Sequence, residues 1–397
     1  MGNTKVLNLC VVSNLLNHGH TYDEWSTSFV IAMSKIEEVD KITVYCPPSN
    51  GGIEIDLPEK CRIEPVMDYA RPFSIISLSK KIAKGNFDGV IIISGPTAFG
   101  NGILSNLFGI MLPLRIMRRG QKNVKIINQG STLTHDVHSL GYKGIINFIK
   151  LYAVRTLEKH VYKRVRTYFQ LSYYCNLVEK NFGQKYVAGI FPSDFIDALA
   201  TLYLNGMDKE EEIKRNRNQN QTRVLLHGFW GPQKDPETAL KAVRKLKLNY
   251  PDIHLTISGG INNHFPEYTK YFHDLLNNYA DVIDAYPGYV EEKDLMQLFM
   301  ENEIVLMPYI ASGGQSGVLE MASFFENIVV CSDFPEFREE KKSDLVILTS
   351  LDEFETALIK ACENVNTIPD TVNTHDKVQL VANNVRTFIA DIQSLRS

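Results

Sequence analysis

Short apolar runs rich in β-branched residues alternate with amphipathic helical stretches along both halves of this 397-residue chain. Such runs, separated by helices, are typical of parallel sheets that helices cover on both faces. At ~100–200 residues per domain, the length suggests two such sheets. We therefore predict an α/β protein with two doubly wound domains. The runs cover residues 6–12, 42–46, 89–93, 124–128, 167–171, 223–227, 254–258, 282–285, 304–307 and 328–331.

The composition changes between the two halves. Residues 207–222 read MDKEEEIKRNRNQNQT, in which Met207 and Ile213 are the only large apolar residues. A segment this polar cannot build a core, so we expect a linker there. The prediction is an N-terminal Rossmann-like domain over 1–206, a C-terminal domain over 223–376, and a C-terminal helix over 377–397 that packs back on the N-terminal domain.

The bulk composition excludes several classes of protein. With 44% hydrophobic and 22% charged residues, the chain is neither disordered nor fibrous. Its longest uninterrupted apolar stretch, residues 107–114, is far shorter than the ~20 residues that span a bilayer. The first apolar run has no cleavage site behind it, and the six cysteines form no CxxC pair. We expect a reduced, cytoplasmic protein without structural zinc.

The net charge of −4 hides an uneven distribution. Forty-two basic residues against 46 acidic ones give no polycation signature, so we expect no nucleic-acid partner. Residues 101–185, however, hold fourteen basic and three acidic residues, a net +11, much of it in predicted helices over 103–119 and 144–166. Basic amphipathic helices can lie on an anionic membrane surface, or they can be ordinary surface helices of the first domain. Both readings remain open at this point.

The first apolar run of the second half ends in a turn that suits a phosphate. It reads HGFWGPQKDPE, with Gly228 in the turn and Lys234 just ahead of a predicted helix over 238–248. Glycine lets the backbone approach a ligand, and lysine adds a full charge to the positive end of the helix. The plain alternative is a solvated lysine.

A glycine- and serine-rich loop follows the run at 304–307. It could form a nest of backbone N–H groups for an anion, although it lacks the lysine of a P-loop. Glu320 stands about one helical turn further on, where a carboxylate can reach the vicinal hydroxyls of a sugar; alternatively, it is an exposed helix charge. The loop residues are Ser312, Gly313, Gly314, Gln315, Ser316 and Gly317.

In order, four motifs of the second half resemble the donor domain of the family-four retaining glycosyltransferases, which have the GT-B fold. They read HGFWGPQKDPETALKAVRKL, LTISGG, YPGYVEEKDLMQLFMENEIVLMPY and SGGQSGVLEMASFFENIVVCSDFPEF. The resemblance implies two Rossmann-like domains that face each other across a cleft. It also implies that the second domain binds a nucleoside diphosphate sugar.

The resemblance assigns roles to particular residues. Lys234 matches the lysine that grips the diphosphate, Gly288-Tyr289-Val290 matches the turn that holds the base through main-chain contacts, and Glu320 matches the glutamate on the ribose hydroxyls. Two departures leave the donor, and catalysis itself, open. Ser312 stands where the family usually has a glutamate that contacts the transferred sugar. Phe229 and Trp230 stand where an arginine commonly shares the phosphate charge.

The first domain carries weaker matches. Gly19 falls in the loop that usually lies under the diphosphate, with His18 beside it as a sugar or acceptor contact. After the run at 124–128, His135 and Asp136 match the family's catalytic histidine, which faces the donor sugar, and His138 is a candidate second contact. Without the resemblance, such a His-Asp pair is more often a surface hydrogen bond.

These matches lead us to expect a retaining hexosyltransferase that moves a sugar from a nucleoside diphosphate sugar to an acceptor hydroxyl. The basic region favours a membrane-associated, lipid-linked glycan or another glycoconjugate precursor as acceptor, with the enzyme peripheral on the cytoplasmic face of a membrane. No metal or other cofactor is expected. A catalytically silent nucleotide-sugar binder that scaffolds an active partner, and a sugar-nucleotide epimerase, remain as alternatives. The missing GxGxxG after the first run disfavours a dehydrogenase.

Overall fold

The computed structural model describes residues 6–15, 23–48, 56–95, 98–99, 103–130, 133, 145–207, 212–215, 221–262, 265–312 and 314–394. Contacts divide the chain into two compact units. The first takes its described residues from Met1–His135, Gly144–Ala200 and Gln379–Ser397, and the second from Thr201–Val378. Each unit is built on its own parallel sheet.

The sheet of the first unit consists of β1 (Leu7–Val12), β2 (Val39–Cys46), β3 (Cys61–Pro65), β4 (Gly89–Ser94), β5 (Val124–Asn128), β6 (Arg166–Phe169) and β7 (Gly189–Ile190). These strands are all parallel, in the order β3-β2-β1-β4-β5-β6-β7. The direction of winding reverses between β1 and β4, which makes the sheet doubly wound. The helices of this part of the chain are α1 (Asp23–Ser34), α2 (Phe73–Lys84), α3 (Ile103–Ile110), α4 (Leu112–Arg118), α5 (Ile145–Tyr162), α6 (Ser172–Phe182) and α7 (Ala198–Leu204).

The sheet of the second unit consists of β9 (Thr222–His227), β10 (Ile253–Ser258), β11 (Ile283–Gly288), β12 (Ile304–Met307), β13 (Ile328–Ser332) and β14 (Val346–Thr349), after a short strand β8 (Glu212–Lys214) that lies outside it. Its strands are parallel in the order β11-β10-β9-β12-β13-β14, so this sheet is doubly wound as well. Its helices are α8 (Pro236–Lys247), α9 (Tyr268–Asn278), α10 (Glu292–Glu301), α11 (Gly317–Phe324), α12 (Pro335–Glu340) and α13 (Phe354–Glu363). The strand β15 (Thr371–Asn373) and the helix α14 (His375–Ser394) complete the chain.

The prediction of an α/β protein with two doubly wound sheets is confirmed, and each of the ten apolar runs overlaps a strand. The prediction of one helix over 103–119 is wrong, because α3 and α4 are separate helices that meet at Met111. Pro113 lies in the first turn of α4. Proline lacks the N–H that a continuous helix would need there, and its ring clashes with the carbonyl four residues earlier.

The interval 207–222, for which we expected a linker, contains ordered structure. Its strand β8 pairs antiparallel with β15, and Ile213 is buried. Arg215 is buried too, and its guanidinium donates to the carbonyl oxygens of Met300 and Phe325. Those carbonyls lie at the C-terminal ends of α10 and α11, where a cation complements the helix dipole.

Buried apolar side chains pack into a cluster against one face of each sheet. In the first unit, Cys10, Val12 and Ile92 belong to a cluster that α2, α4, α5 and α6 cover. In the second, Val224, Leu226 and the helices α8, α9 and α13 form the corresponding cluster. Within the described ranges, no helix is both long enough and apolar enough to cross a membrane.

Candidate donor site

Three neighbouring strands of the second unit end in glycines with left-handed backbone. Gly228 after β9, Gly259 after β10 and Gly288 at the end of β11 have φ angles of 150°, 104° and 71°. The Gly259 N–H donates to the Gly288 carbonyl at 2.6 Å, and the Gly228 N–H donates to the Ser258 carbonyl at 3.2 Å. A Cβ on Gly259 would overlap the carbonyl oxygen of Gly228. Close packing therefore requires glycine at Gly259, and the positive φ angles favour glycine at Gly228 and Gly288; we call these three strand ends the glycine floor (Gly228, Gly259 and Gly288).

Lys234 lies against this floor. Its backbone N–H donates to Gly231 at 3.0 Å, and a Cβ on Gly228 would overlap its Nζ atom. Its ammonium lies 4.8 Å from the ring centroid of Tyr309 and 5.7 Å from that of Trp230. No carboxylate of the described residues pairs with this ammonium. The aromatic rings hold the charge in place without neutralising it, so it is available to an anion.

The helix that follows Lys234 is capped at its start. The Asp235 side chain accepts from the Thr238 N–H at 3.2 Å, and Pro236 occupies the first turn of α8. The Asp235 N–H in turn donates to Pro308 at 2.7 Å, which fixes this turn to the end of β12. The sequence therefore places Lys234 immediately outside a well-formed helix N-terminus.

His227 stands at the end of β9, next to the floor. Its Nδ1 atom lies 2.8 Å from the Ser258 hydroxyl, and its ring packs edge-on against Phe299. Burial lowers the pKa of His227 to about 3, and the Lys234 ammonium acts in the same direction. The imidazole is therefore neutral at physiological pH, and Lys234 is the charged group at this strand end.

The glycine- and serine-rich loop uses part of its polar groups internally. Ser316 caps α11, because its hydroxyl accepts from the Leu319 N–H at 3.3 Å. Its own N–H donates to the carboxylate of Glu340, at 3.2 and 3.3 Å to the two oxygens. The N–H of Ser316, which we expected to be part of an anion nest, is thus bonded to a carboxylate of the protein. Ser312 donates to the Gly314 carbonyl at 3.3 Å, and Gly313 lies outside the described residues.

Glu320 is buried, so the alternative interpretation of it as an exposed helix charge is wrong. Only 6% of its surface is exposed, and it lies in the first turn of α11, which begins at Gly317. The side-chain amide of Gln315 donates to its carboxylate. The loop therefore holds a buried carboxylate in a fixed orientation, as a ribose contact would need.

Two exposed aromatic rings flank the glycine floor. Phe229 follows Gly228 and Tyr289 follows Gly288, and their ring centroids are 6.5 Å apart. Both are about half exposed or more, and Val290 is partly buried. Trp230, by contrast, is 1% exposed and stacks on Phe272, so it belongs to the core. Sequence reasoning treated Phe229 only as a departure from the family; its position directly after a strand was the available signal.

The expected residues of the first domain lie outside the described residues: His18, Gly19, His135, Asp136 and His138. What the structure does describe at this sheet's carboxyl edge is a set of buried polar side chains that the sequence analysis missed. Gln129 directly follows β5 and Gln170 directly follows β6. Among the described residues, no group of three or more His, Cys, Asp or Glu side chains could hold a metal ion.

No protein-family profile matches the sequence, and no curated protein matches it. Solved structures do match. Sucrose-phosphate synthase from Thermosynechococcus elongatus has a TM-score of 0.71 and 10% identity, over 98% of this chain and 99% of that one. HepE from Anabaena, in complex with UDP-glucose, has a TM-score of 0.61 and 11% identity, over 98% and 99%. The trehalose 6-phosphate synthase from Burkholderia multivorans has a TM-score of 0.61 and 12% identity, over 99% and 97%.

These matches run through both units and nearly the whole length of each compared chain. At 10–12% identity they establish the fold. The chain therefore has the GT-B fold, as the motifs of its second half implied.

Proposed function

We propose that this protein is a retaining glycosyltransferase that moves a sugar from a nucleoside diphosphate sugar to an acceptor hydroxyl. The observation that carries the proposal is the Lys234 ammonium, which lies on the glycine floor without a carboxylate partner among the described residues. HepE from Anabaena, which has the same fold, has been solved in complexes with UDP and with UDP-glucose. Retention of configuration is taken from the sequence resemblance.

The main barrier to this reaction is charge. A diphosphate must leave while the sugar ring becomes oxocarbenium-like, so fixed positive groups at the phosphates lower the barrier most. Lys234 and the N-terminus of α11 supply such groups, and the glycine floor lets the diphosphate come close to the backbone. The proposal keeps His135 and Asp136 as the residues that act at the transferred sugar.

The remaining donor contacts follow from the same geometry. Glu320, buried and oriented by Gln315, is proposed to bind the ribose hydroxyls. The turn Gly288-Tyr289-Val290 is proposed to hold the base, with the exposed rings of Tyr289 and Phe229 offering flat surfaces beside it. Base stacking on an aromatic ring is worth roughly 1–3 kcal/mol.

Binding of UDP, GDP and ADP to Lys234→Ala, measured by titration calorimetry, tests the proposal. Loss of one charge-assisted contact of roughly 1.5–3 kcal/mol predicts about tenfold to a hundredfold weaker binding of the preferred nucleotide. Lys241→Ala is the matched control, since Lys241 is exposed on α8 and pairs with Glu237. Unchanged affinity in Lys234→Ala would refute the phosphate assignment.

Nucleotide release from UDP-glucose then separates an enzyme from a silent binder. An active transferase releases UDP faster when an acceptor is present. This test is needed because Ser312, whose hydroxyl bonds to the Gly314 carbonyl, stands in place of the family's sugar-contacting glutamate. Tight nucleotide binding with no release would support the scaffolding alternative.

For the acceptor, we propose a lipid-linked glycan held at an anionic membrane. Among the described side chains on the first unit's helices, four large apolar ones are more than half exposed: Phe73 on α2, Leu104 on α3, and Ile149 and Tyr152 on α5. These helices pack side by side, α2 on α3 and α3 on α5. The one acidic residue among the described residues of α2 to α5, Glu158, is buried. Helices that expose both apolar and basic residues suit a bilayer of anionic lipid.

A further inference from the structure

Two glutamines stand side by side at the carboxyl edge of the first unit's sheet. Gln129 follows β5 and Gln170 follows β6, and the last paired residues of these parallel strands are Asn128 and Phe169. Each glutamine is only 4% exposed. Asn128 and Phe169 contact Tyr162 of α5. Because successive side chains alternate across a sheet, the two glutamines face the opposite side, where α1 packs.

The amide groups of these glutamines have no partner within the described part of the chain. The atoms concerned are Nε2 of Gln129 and both Oε1 and Nε2 of Gln170. The indole Nε1 of Trp25, in the first turn of α1, is buried and unpartnered in the same way. Trp25 packs edge-on against Phe191 at 5.8 Å, and the Phe191 N–H donates to Phe169, the residue before Gln170. Gln129 and Gln170 thus follow neighbouring strands, and Trp25 is connected to the end of β6 through Phe191; we call these three residues the amide corner (Trp25, Gln129 and Gln170).

Buried polar atoms without partners cost stability, and native proteins keep few of them unless a ligand or water completes their hydrogen bonds. Here the unpartnered atoms comprise two amide NH₂ groups, one indole N–H and one carbonyl oxygen, and none of them is charged. A ligand that satisfies all of them must both accept and donate hydrogen bonds. Hydroxyl groups do both, whereas the diester phosphates of a nucleoside diphosphate sugar carry no hydrogen at physiological pH and cannot donate to Oε1 of Gln170.

We propose that the amide corner binds the hydroxyl groups of a neutral sugar ring, and that this ring belongs to the acceptor of the transfer reaction. The assignment of this ring to the acceptor rests on the proposed function, whereas the binding of a sugar ring does not. Gln170 supplies both a donor and an acceptor to the ring, and Gln129 and Trp25 supply donors. The residues that select the acceptor sugar are then found at the ends of β5 and β6 and in the first turn of α1.

The test is thermal unfolding of the full chain in the presence of glucose, galactose, mannose or N-acetylglucosamine at rising concentration. Sugars stabilise all proteins weakly by exclusion from the surface, in proportion to concentration. A bound sugar adds a component that depends on the logarithm of one plus its concentration over its Kd. We expect this component for at least one of the four sugars with the wild-type protein, and its loss in Gln170→Met and Gln129→Met.

Methionine has nearly the shape of glutamine but no amide. The stability of these variants without sugar therefore tests whether the amide groups are unpartnered in the ligand-free protein. We expect Gln170→Met to melt at the same temperature as the wild type or higher, because it removes unpartnered buried groups. The matched control is Gln121→Met, which breaks the bond from its Nε2 to the Phe87 carbonyl at 2.8 Å. That variant should melt at a lower temperature and keep the response to sugar.

Two results would overturn the proposal. One is an equal response to every sugar in the wild type and in Gln170→Met; the other is a drop in melting temperature in Gln170→Met as large as that in Gln121→Met. Parallel titrations with UDP, GDP and ADP distinguish failure of the amide-corner proposal from failure of the proposed function. Sugar binding without nucleotide binding would refute the transferase and keep the amide corner. Nucleotide binding with no specific sugar response would do the reverse.

Discussion

At the scale of single residues, the glycine floor is a packing constraint that one methyl group can break. Gly259 has a φ of 104°, in the left-handed region, and its missing side chain leaves room for the carbonyl oxygen of Gly228. An alanine there meets both a strained backbone and a backbone neighbour that cannot rotate away. Lys234 in turn lies against Gly228.

We predict that Gly259→Ala lowers the free energy of unfolding by roughly 2–4 kcal/mol and also weakens nucleotide binding. Urea unfolding and calorimetric titration with UDP, GDP and ADP measure the two effects. The adjacent Gly260→Ala is the matched control, because a Cβ at that position meets no atom within 4 Å. It should change stability by no more than about 0.5 kcal/mol. Equal effects of the two substitutions would contradict the packing argument.

A second prediction at this scale concerns the pKa of His227, which burial lowers to about 3. In the unfolded chain a histidine has its usual pKa near 6.5, so between these two values the unfolded state binds the extra proton. The contribution of His227 to stability is therefore fully present above pH 6.5 and is lost as the pH falls toward 3. Between pH 7 and pH 5 we expect a loss of roughly 2 kcal/mol from this residue.

The measurement is urea unfolding of wild type and His227→Gln at both pH values. Glutamine cannot take up the proton, so its variant should lose less stability on acidification. His273→Gln, an exposed position on α9, should follow the wild type. Parallel pH profiles for the wild type and His227→Gln would rule out the buried neutral imidazole.

At the scale of secondary-structure elements, α14 is attached to the first sheet through a buried charge. Lys125 of β5 is fully buried, and its ammonium donates to the carboxylate of Asp391 on α14. Tyr168 of β6 donates its hydroxyl to the same carboxylate, and Arg166 reaches it from the surface at 3.2 Å. Burial raises the pKa of Asp391, but the bonds from Lys125 and Tyr168 outweigh this, so its pKa is lowered overall.

We predict that Asp391→Asn lowers the free energy of unfolding by about 3–5 kcal/mol, because the Lys125 ammonium is left buried without a counter-charge. Arg166→Gln, which removes the exposed partner of the same carboxylate, should cost no more than about 1 kcal/mol. The double variant Lys125→Met/Asp391→Asn should recover much of the loss. Chemical denaturation of the three proteins checks this; a double variant as unstable as Asp391→Asn would contradict it.

The elements also show which parts of the fold were readable from the sequence. Apolar runs predicted the central strands, because such strands are buried on both faces and need no polar side chains. The edge strands β3, β7 and β14 were missed. β3 has a half-polar sequence and β7 is two residues long, whereas β14 has the apolar sequence VILT and was overlooked. Pro113 indicates the break between α3 and α4, but the apolar run continues through it and suggested a single helix.

The candidate site likewise contains residues that the sequence predicts and residues that it does not. Residues held by local geometry, such as Gly228 and Lys234, could be found because a turn and a helix start lie next to each other in sequence. The amide corner could not, because Trp25, Gln129 and Gln170 lie far apart in the chain, and only the strand order and the packing of α1 relate them. Burial of Glu320 was equally unreadable, since it depends on Gln315 folding back on α11.

At the scale of the whole molecule, a net charge of −4 conceals a basic first unit. The helices α2, α4 and α5 expose Lys80, Lys84, Arg118 and Lys159, and their one acidic residue, Glu158, is buried. Large apolar side chains are exposed on α2, α3 and α5, and Phe73 of α2 contacts Phe108, over which the Arg115 guanidinium lies at 4.9 Å. Sequence composition supplied the charge, whereas the exposure of the apolar residues required the structure.

This distribution makes a prediction about membranes. The protein should cosediment with vesicles of phosphatidylcholine mixed with phosphatidylglycerol, and far less with phosphatidylcholine alone. Each basic residue near an anionic surface contributes about 1 kcal/mol, and salt screens that attraction. Binding should therefore fall at high ionic strength but not vanish, because the apolar side chains contribute as well.

The apolar contribution is isolated by Ile149→Ser/Tyr152→Ser, which changes no charge. Each buried side chain of this size is worth about 1.5–3 kcal/mol, so the partition coefficient should drop roughly tenfold or more. Leu248→Ser is the matched control, because Leu248 is 84% exposed but belongs to the second unit, away from the basic helices in sequence. Equal vesicle binding by these two variants would show that the exposed residues of α5 do not enter the bilayer. A protein that ignored anionic vesicles altogether, while transferring sugar to a soluble acceptor, would remove the membrane from the proposed function.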